Sequence, residues 1–216
     1  MYLKHSEQTI TDFSVKNIDE QYDHGFLFER TERGAMYETR SVRIDLSKFD
    51  LSSENKRILK KTEGVTFSVL RLPYEQYTWQ IGKLGKDFYE TKFGEGVFSA
   101  NKIKELITDS EKSNFNRLFK YDEIGYAICL ETDNILHYSY PFYNQNSDTP
   151  NLGIGMMTRA ILWAKENNKK YIYLGSAKDE KAKYKLQFSG CEWWDSTKRV
   201  WSDDVEELKN IIRNIK

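Results

Sequence analysis

Two cysteines and three prolines are all that this 216-residue chain carries of either type, and its net formal charge is zero. Cys129 and Cys191 lie outside any CxxC pattern, and none of the three histidines stands at metal-ligand spacing from them. That excludes a cysteine-based zinc site and argues for two small buried thiols rather than a disulfide framework. With so little proline there is no room for a long extended linker. The balance of 33 basic against 33 acidic residues rules out a chain that grips nucleic acid by bulk charge, though a local basic patch stays open. No run of about 18 apolar residues is present to span a bilayer, and the polar stretch Met1 to Asp12 lacks a signal-peptide core. These absences give the expectation of a soluble, cytoplasmic protein without membrane partners and without a bound metal.

Aromatics are plentiful instead: 5 Trp, 14 Tyr and 12 Phe, large enough side chains to build a core. The first third is polar and turn-rich. Gly25–Arg30 is followed by a turn at Arg33-Gly34 and by Met36–Leu46, where Val42, Ile44 and Leu46 alternate with Arg43 and Asp45. A period of two predicts a strand paired with the first run across the turn. Ser52-Ser53 offers an N-cap to a short basic helix carrying Lys56, Arg57, Lys60 and Lys61. Residues 65–72 alternate again, and 74–113 is expected to be mostly helical, interrupted by Gly94 and Gly96, with Ile103, Leu106 and Ile107 on one helical stripe.

The remainder is more regular. Strands at 124–130 and 135–143 flank the loop Glu131–Asn134. A polar loop leads to Asn151-Leu-Gly153-Ile-Gly155 and a helix with Met156, Met157, Ala160, Ile161 and Ala164 on one face. A strand at 170–175, a lysine-rich helix to Phe188, short strands at 192–194 and 199–201 and a helix from Asp203 to Lys216 complete the chain. Hairpin, loop, helix, strand is an α/β pattern with a mixed sheet. Glycines entering a helix let backbone approach a ligand, and the first-turn amides of a helix form an anion site, yet loop geometry explains such glycines about as often.

The order of these elements is similar to that of the GNAT acyltransferases, whose signature Gln/Arg-x-x-Gly-x-Gly/Ala here reads Pro150-Asn-Leu-Gly153-Ile-Gly155. A sharper resemblance lies within that class. Asn151-Leu-Gly-Ile, Lys170-Tyr-Ile-Tyr-Leu-Gly175 and Lys181-Ala-Lys-Tyr184-Lys185-Leu-Gln-Phe188-Ser-Gly-Cys-Glu192 resemble the C-terminal domain of the arginyl/leucyl-tRNA–protein transferases, and Arg43–Lys61 resembles an earlier block of that family. The departures are the missing N-terminal cysteine cluster, Ser176 where the family has an aromatic residue, and Gly190 or Cys191 where it has proline.

The resemblance implies a GNAT-like mixed, mostly antiparallel sheet flanked by helices in residues 75–216, behind a smaller β-rich region in 1–74. It implies transfer of an amino acid from aminoacyl-tRNA to the N-terminal amine of a protein or peptide, with no further cofactor. An acetyl-CoA-dependent N-acetyltransferase and a non-catalytic binding module of the same fold are the alternatives. Under the resemblance Asn151, Gly153, Gly155, Gly175, Lys183 and Lys185 would bind the donor, and Tyr173, Tyr184 and Glu192 would serve catalysis. Tyr173 is equally explained as a core aromatic, Glu192 as a surface carboxylate. Trp193, Trp194 and Trp201 could form a stacking wall, and the seven lysines from Lys165 to Lys185 a basic strip for tRNA.

Overall fold

The computed structural model describes residues 3–214. In chain order its elements are β1 (Ser6–Thr9), α1 (Val15–Asp23), β2 (Phe26–Phe28), β3 (Ala35–Glu38), β4 (Ser41–Asp45), α2 (Ser53–Lys61) and β5 (Phe67–Arg71). There follow α3 (Trp79–Phe93), α4 (Ala100–Thr108), β6 (Arg117–Tyr121), β7 (Gly125–Glu131), β8 (Ile135–Tyr143) and α5 (Leu152–Glu166). After β9 (Tyr171–Ser176) come a 3-10 helix (Glu180–Gln187), β10 (Cys191–Asp195), β11 (Val200–Ser202) and α6 (Val205–Arg213). The chain is mixed α/β with mostly antiparallel strand pairing, as expected. Among the described residues no helix is long and apolar enough to cross a membrane.

Two compact units interleave along the sequence. Residues 1–52, 132–137 and 163–216 form the first, and 53–131 with 138–162 the second, so the expected boundary after residue 74 falls inside the second unit.

In the first unit a three-stranded sheet, β1-β3-β2, accompanies strands in the order β11-β10-β4-β9-β8. The expected pairing across the Arg33-Gly34 turn is present, with Leu27 opposite Tyr37. The stretch Met36–Leu46, however, is two strands. It breaks at Thr39-Arg40, sending β3 to the small sheet and β4 between β10 and β9. Because β4 is central and covered on both sides, Arg43 is buried along with Val42 and Ile44.

Neither β1 nor α1 is visible in the residue pattern. Strand β1 is largely exposed, and α1 buries only Ile18 and Tyr22, one turn apart, behind a Ser14 N-cap that accepts from the Asn17 amide. The lysine-rich segment before Phe188 is a 3-10 helix rather than an α-helix. At the other end, Asp204 caps α6 through the Glu207 amide at 2.8 Å, acids fill the first turn and Arg213 the last; Lys216 lies outside the described residues.

In the second unit β7, β6 and β5 run antiparallel beside the rest of β8. Strand β6 went unread in the sequence because Arg117 and Lys120 interrupt its apolar residues. Helix α3 is broken from α4 around Gly94 and Gly96, both at positive φ. The apolar face of α5 (Met156, Met157, Ala160, Ile161, Ala164) is fully buried, as its spacing predicts.

Candidate active site

The registers of the first unit align four chemically unlike side chains. Glu192 on β10 lies opposite Arg43 on β4, Arg43 opposite Tyr173 on β9, and Tyr173 opposite His137 on β8. Opposed residues project from the same face of a sheet, so these make one polar row, and all four are buried. A buried guanidinium keeps its proton and must be matched by carboxylates. Arg43, 5 % exposed, donates from Nε to Glu192 Oε2 at 2.9 Å and from Nη1 to Asp23 Oδ1 at 2.9 Å. Its Nη1 also reaches the Tyr173 hydroxyl at 3.3 Å. The guanidinium carbon sits 3.7 Å from the ring centre of Tyr171 and 3.9 Å from that of Trp201, adding cation–π attraction in a dry setting.

The row therefore joins two of the expected catalytic residues, Tyr173 and Glu192, through an arginine that the sequence pattern places on the strand face opposite Val42 and Ile44. Burial drives the Tyr173 phenol well above its usual range, against the pull of Arg43, and keeps it neutral and able to donate. Both oxygens of Glu192 are engaged, the second by Lys48 Nζ at 3.1 Å, so neither is left vacant. The expected tryptophan wall is not exposed. Trp193 and Trp194 are buried, bonded through their indole N–H to the Asp204 carbonyl and to Glu38, and Trp201 is spent on Arg43 and the Asp23 carbonyl.

At the end of the row, Tyr22 from α1 meets His137 Nδ1 through its hydroxyl at 2.9 Å, and its ring stands edge-on to that of Tyr173. Burial, then the nearby Lys185 charge, lowers the His137 pKa to about 3. The imidazole is neutral when folded but takes a proton near pH 6.5 when unfolded. Its contribution to stability is thus complete above pH 6.5 and drains away as pH falls toward 3, by up to about 1.4 kcal/mol per pH unit. His137→Gln is expected to flatten this acid limb in urea unfolding between pH 4 and 7. An unchanged slope would show that other groups set it.

Lys185 is turned inward. Its Nζ donates to the Ser176 carbonyl at 2.9 Å beside Gly175, and burial, opposed by Asp179, lowers its pKa to about 8. Lys183 pairs with Glu180 at the surface, and Tyr184 is 43 % exposed. The lysine segment is partly structural: Lys165 donates to the Phe49 carbonyl and Lys169 to that of Thr132, while Lys170, Lys178 and Lys181 are exposed.

In the second unit, Asn151 adopts a left-handed φ of 61° just before α5. Gly153 and Gly155, expected at the helix entrance, lie in its first turn. The Gly155 amide is satisfied by the Asn151 carbonyl at 2.9 Å, whereas the amides of Leu152, Gly153 and Ile154 precede the first intrahelical bond. A Cβ at Gly153 would fall 2.6 Å from the Tyr143 hydroxyl, and one at Gly155 would fall 2.6 Å from Thr62 Cγ2. Lys92 Nζ donates to that Tyr143 hydroxyl at 3.2 Å, and exposed Lys60 and Lys61 precede Thr62 in the last turn of α2. Lys92 and Tyr143 were not singled out in the sequence; only the fold brings them to the helix start. Among the described residues no cluster of His, Cys, Asp and Glu is arranged to hold a metal ion.

No curated protein sequence matches the chain. Among solved structures it is similar to L-PGS from Bacillus licheniformis, with TM-score 0.48 and 14% identity over 75% of this chain and 52% of that one. It is also similar to FemX, with TM-score 0.45 and 8% identity over 76% of this chain and 60% of that one. A fungal GCN5-related glucosamine N-acetyltransferase region matches with TM-score 0.44 and 12% identity over 86% of this chain and 22% of that one. The chain spans about half the length of the first of these. The family model for the C terminus of arginine-tRNA-protein transferase matches residues 74–195, more than half of the sequence, and the chain belongs to that family.

Proposed function

We propose that this protein transfers an aminoacyl group from the 3′ ester of a charged tRNA to the N-terminal amine of a protein or peptide. The observation that carries the reading is the family match over residues 74–195. The chemistry asks for a held donor, a positioned amine and polarising donors near the carbonyl as it becomes an oxyanion. The open amides at the start of α5, with Asn151, Gly153 and nearby Lys92, suit the phosphorylated handle of the donor. Gly175, Lys183 and Lys185 are its further expected contacts, and Tyr173, Tyr184 and Glu192 serve the transfer itself, Glu192 by orienting the amine. Aminolysis of an ester runs downhill, so positioning supplies much of the acceleration. The setting is the cytoplasm, where charged tRNA meets protein N-termini, as in the N-end rule.

The test is incubation with charged tRNAs, arginyl-tRNA first, and a panel of peptides differing in their first residue, read by mass. A gain of one aminoacyl residue on the N-terminal amine is expected. Acetylation of the same peptides from acetyl-CoA, with no gain from tRNA, would overturn the reading in favour of an acetyltransferase; silence from both donors would leave a binding module.

A further inference from the structure

The two cations on Glu192 differ in kind. Arg43 is locked in place by Asp23, Tyr173 and two aromatic faces. Lys48, whose side chain is 56 % exposed, reaches Glu192 Oε1 from a flexible stem and has a second partner in Asp45 Oδ2 at 3.4 Å. Giving up Glu192 would leave Lys48 still paired. An exposed ion pair of this sort holds its partners weakly.

Glu192 and Lys48 open on a cavity of about 280 Å³. Its apolar wall is Phe188, Cys191 and Val205, and its rim carries Asp203. Of the charged groups, Glu192, Asp203 and Lys48 line the cavity, Arg43 holds the other oxygen of Glu192, and the Lys209 charge reaches the lining Cys191. Glu192, only 9 % exposed, is held by Arg43 and so fixed in place before any ligand arrives.

We propose that this cavity is a seat for a primary ammonium group at a peptide N-terminus, which displaces Lys48 from Glu192 Oε1. An ammonium offers three donors and matches a carboxylate with one oxygen turned outward. The first side chain of the peptide lies against Phe188 and Val205. Lys48 stands in for the substrate at rest. The identification of this seat with the acceptor site rests on the transferase reading; the seat itself does not.

The experiment titrates the full chain, without tRNA, with alanyl-alanine amide and with its N-acetylated form, by calorimetry. The free amine binds and the acetylated one does not. Lys48→Met, at a largely exposed position and with Glu192 still paired to Arg43, binds the free amine about threefold more tightly because its competitor is gone. Glu192→Gln, in which Arg43 keeps Asp23, binds at least about tenfold more weakly. Equal binding of the acetylated peptide, no gain in Lys48→Met, or no binding by either protein overturns the seat. Binding without transfer from charged tRNA leaves the seat and removes the transferase reading. Transfer whose KM for peptide ignores Lys48→Met keeps the transferase reading and removes the identification of the seat with its acceptor site.

Discussion

Arg43→Met is expected to cost the first unit about 3–5 kcal/mol, the largest single loss available in the polar row. The substitution keeps the volume and removes the charge. Glu192 is then a nearly enclosed carboxylate with only the exposed Lys48 for company, and the Tyr173 hydroxyl loses its Arg43 donor. Asp23 suffers less, because its side chain is largely exposed and water can replace the guanidinium. Arg43→Lys does not restore the site. A single ammonium cannot serve Glu192 and Asp23 at once while lying flat between Tyr171 and Trp201. Glu192→Gln alone costs less, since Arg43 still has Asp23, and the double change recovers part of the loss by removing the uncompensated charge. Urea unfolding followed by Trp fluorescence reads these differences. A loss below about 1 kcal/mol for Arg43→Met would mean that the row is decoration on a core held by other contacts.

The same row shows where sequence reading stops. Helix α5 was legible because Met156, Met157, Ala160, Ile161 and Ala164 keep helical spacing and one buried face. Strands β7 and β8 were legible because their apolar runs are long. Arg43 was not, because alternation with Val42 and Ile44 assigns it to solvent in any two-layer picture. Only the placement of β4 between β10 and β9, covered on both faces, reverses that assignment. His137, in an apolar run, was noticed but had no visible partner; Tyr22 lies more than a hundred residues earlier. Helix α1 escaped because a nine-residue helix that buries two side chains has too little periodicity to register. What could have pointed to the row is an arginine inside an alternating strand together with the pair Tyr171 and Tyr173, two rings at strand spacing that need a polar partner if they are buried.

The glycines at the start of α5 pose the opposite problem, a motif that was seen and whose purpose is in dispute. Gly155→Ala settles it. In a helix interior, alanine is favoured over glycine by about 1 kcal/mol. Here the added Cβ would lie 2.6 Å from Thr62 Cγ2 and 2.8 Å from its Oγ1. Thr62 cannot easily retreat. Its hydroxyl donates to the Ile58 carbonyl at 3.2 Å, and its own carbonyl accepts from Arg159 Nη2 at 2.7 Å. Overpacking of about 1–3 kcal/mol therefore outweighs the propensity gain, and Gly155→Ala destabilises the second unit. Thr62→Ala removes the two nearest atoms and leaves the residue-62 Cβ at 3.1 Å, a tight but tolerable contact, so the double variant regains part of the lost stability. Donor binding then separates the two purposes. If Gly155 exists to let α2 approach α5, the double variant binds charged tRNA as Thr62→Ala does, because the Gly155 amide is already committed to Asn151. If Gly155 instead lies against the donor, the double variant is stable but loses donor affinity in a filter-binding titration. The geometry favours the first outcome, because the Gly155 amide is bonded to Asn151 while those of Leu152, Gly153 and Ile154, one to three residues earlier, precede the first intrahelical bond.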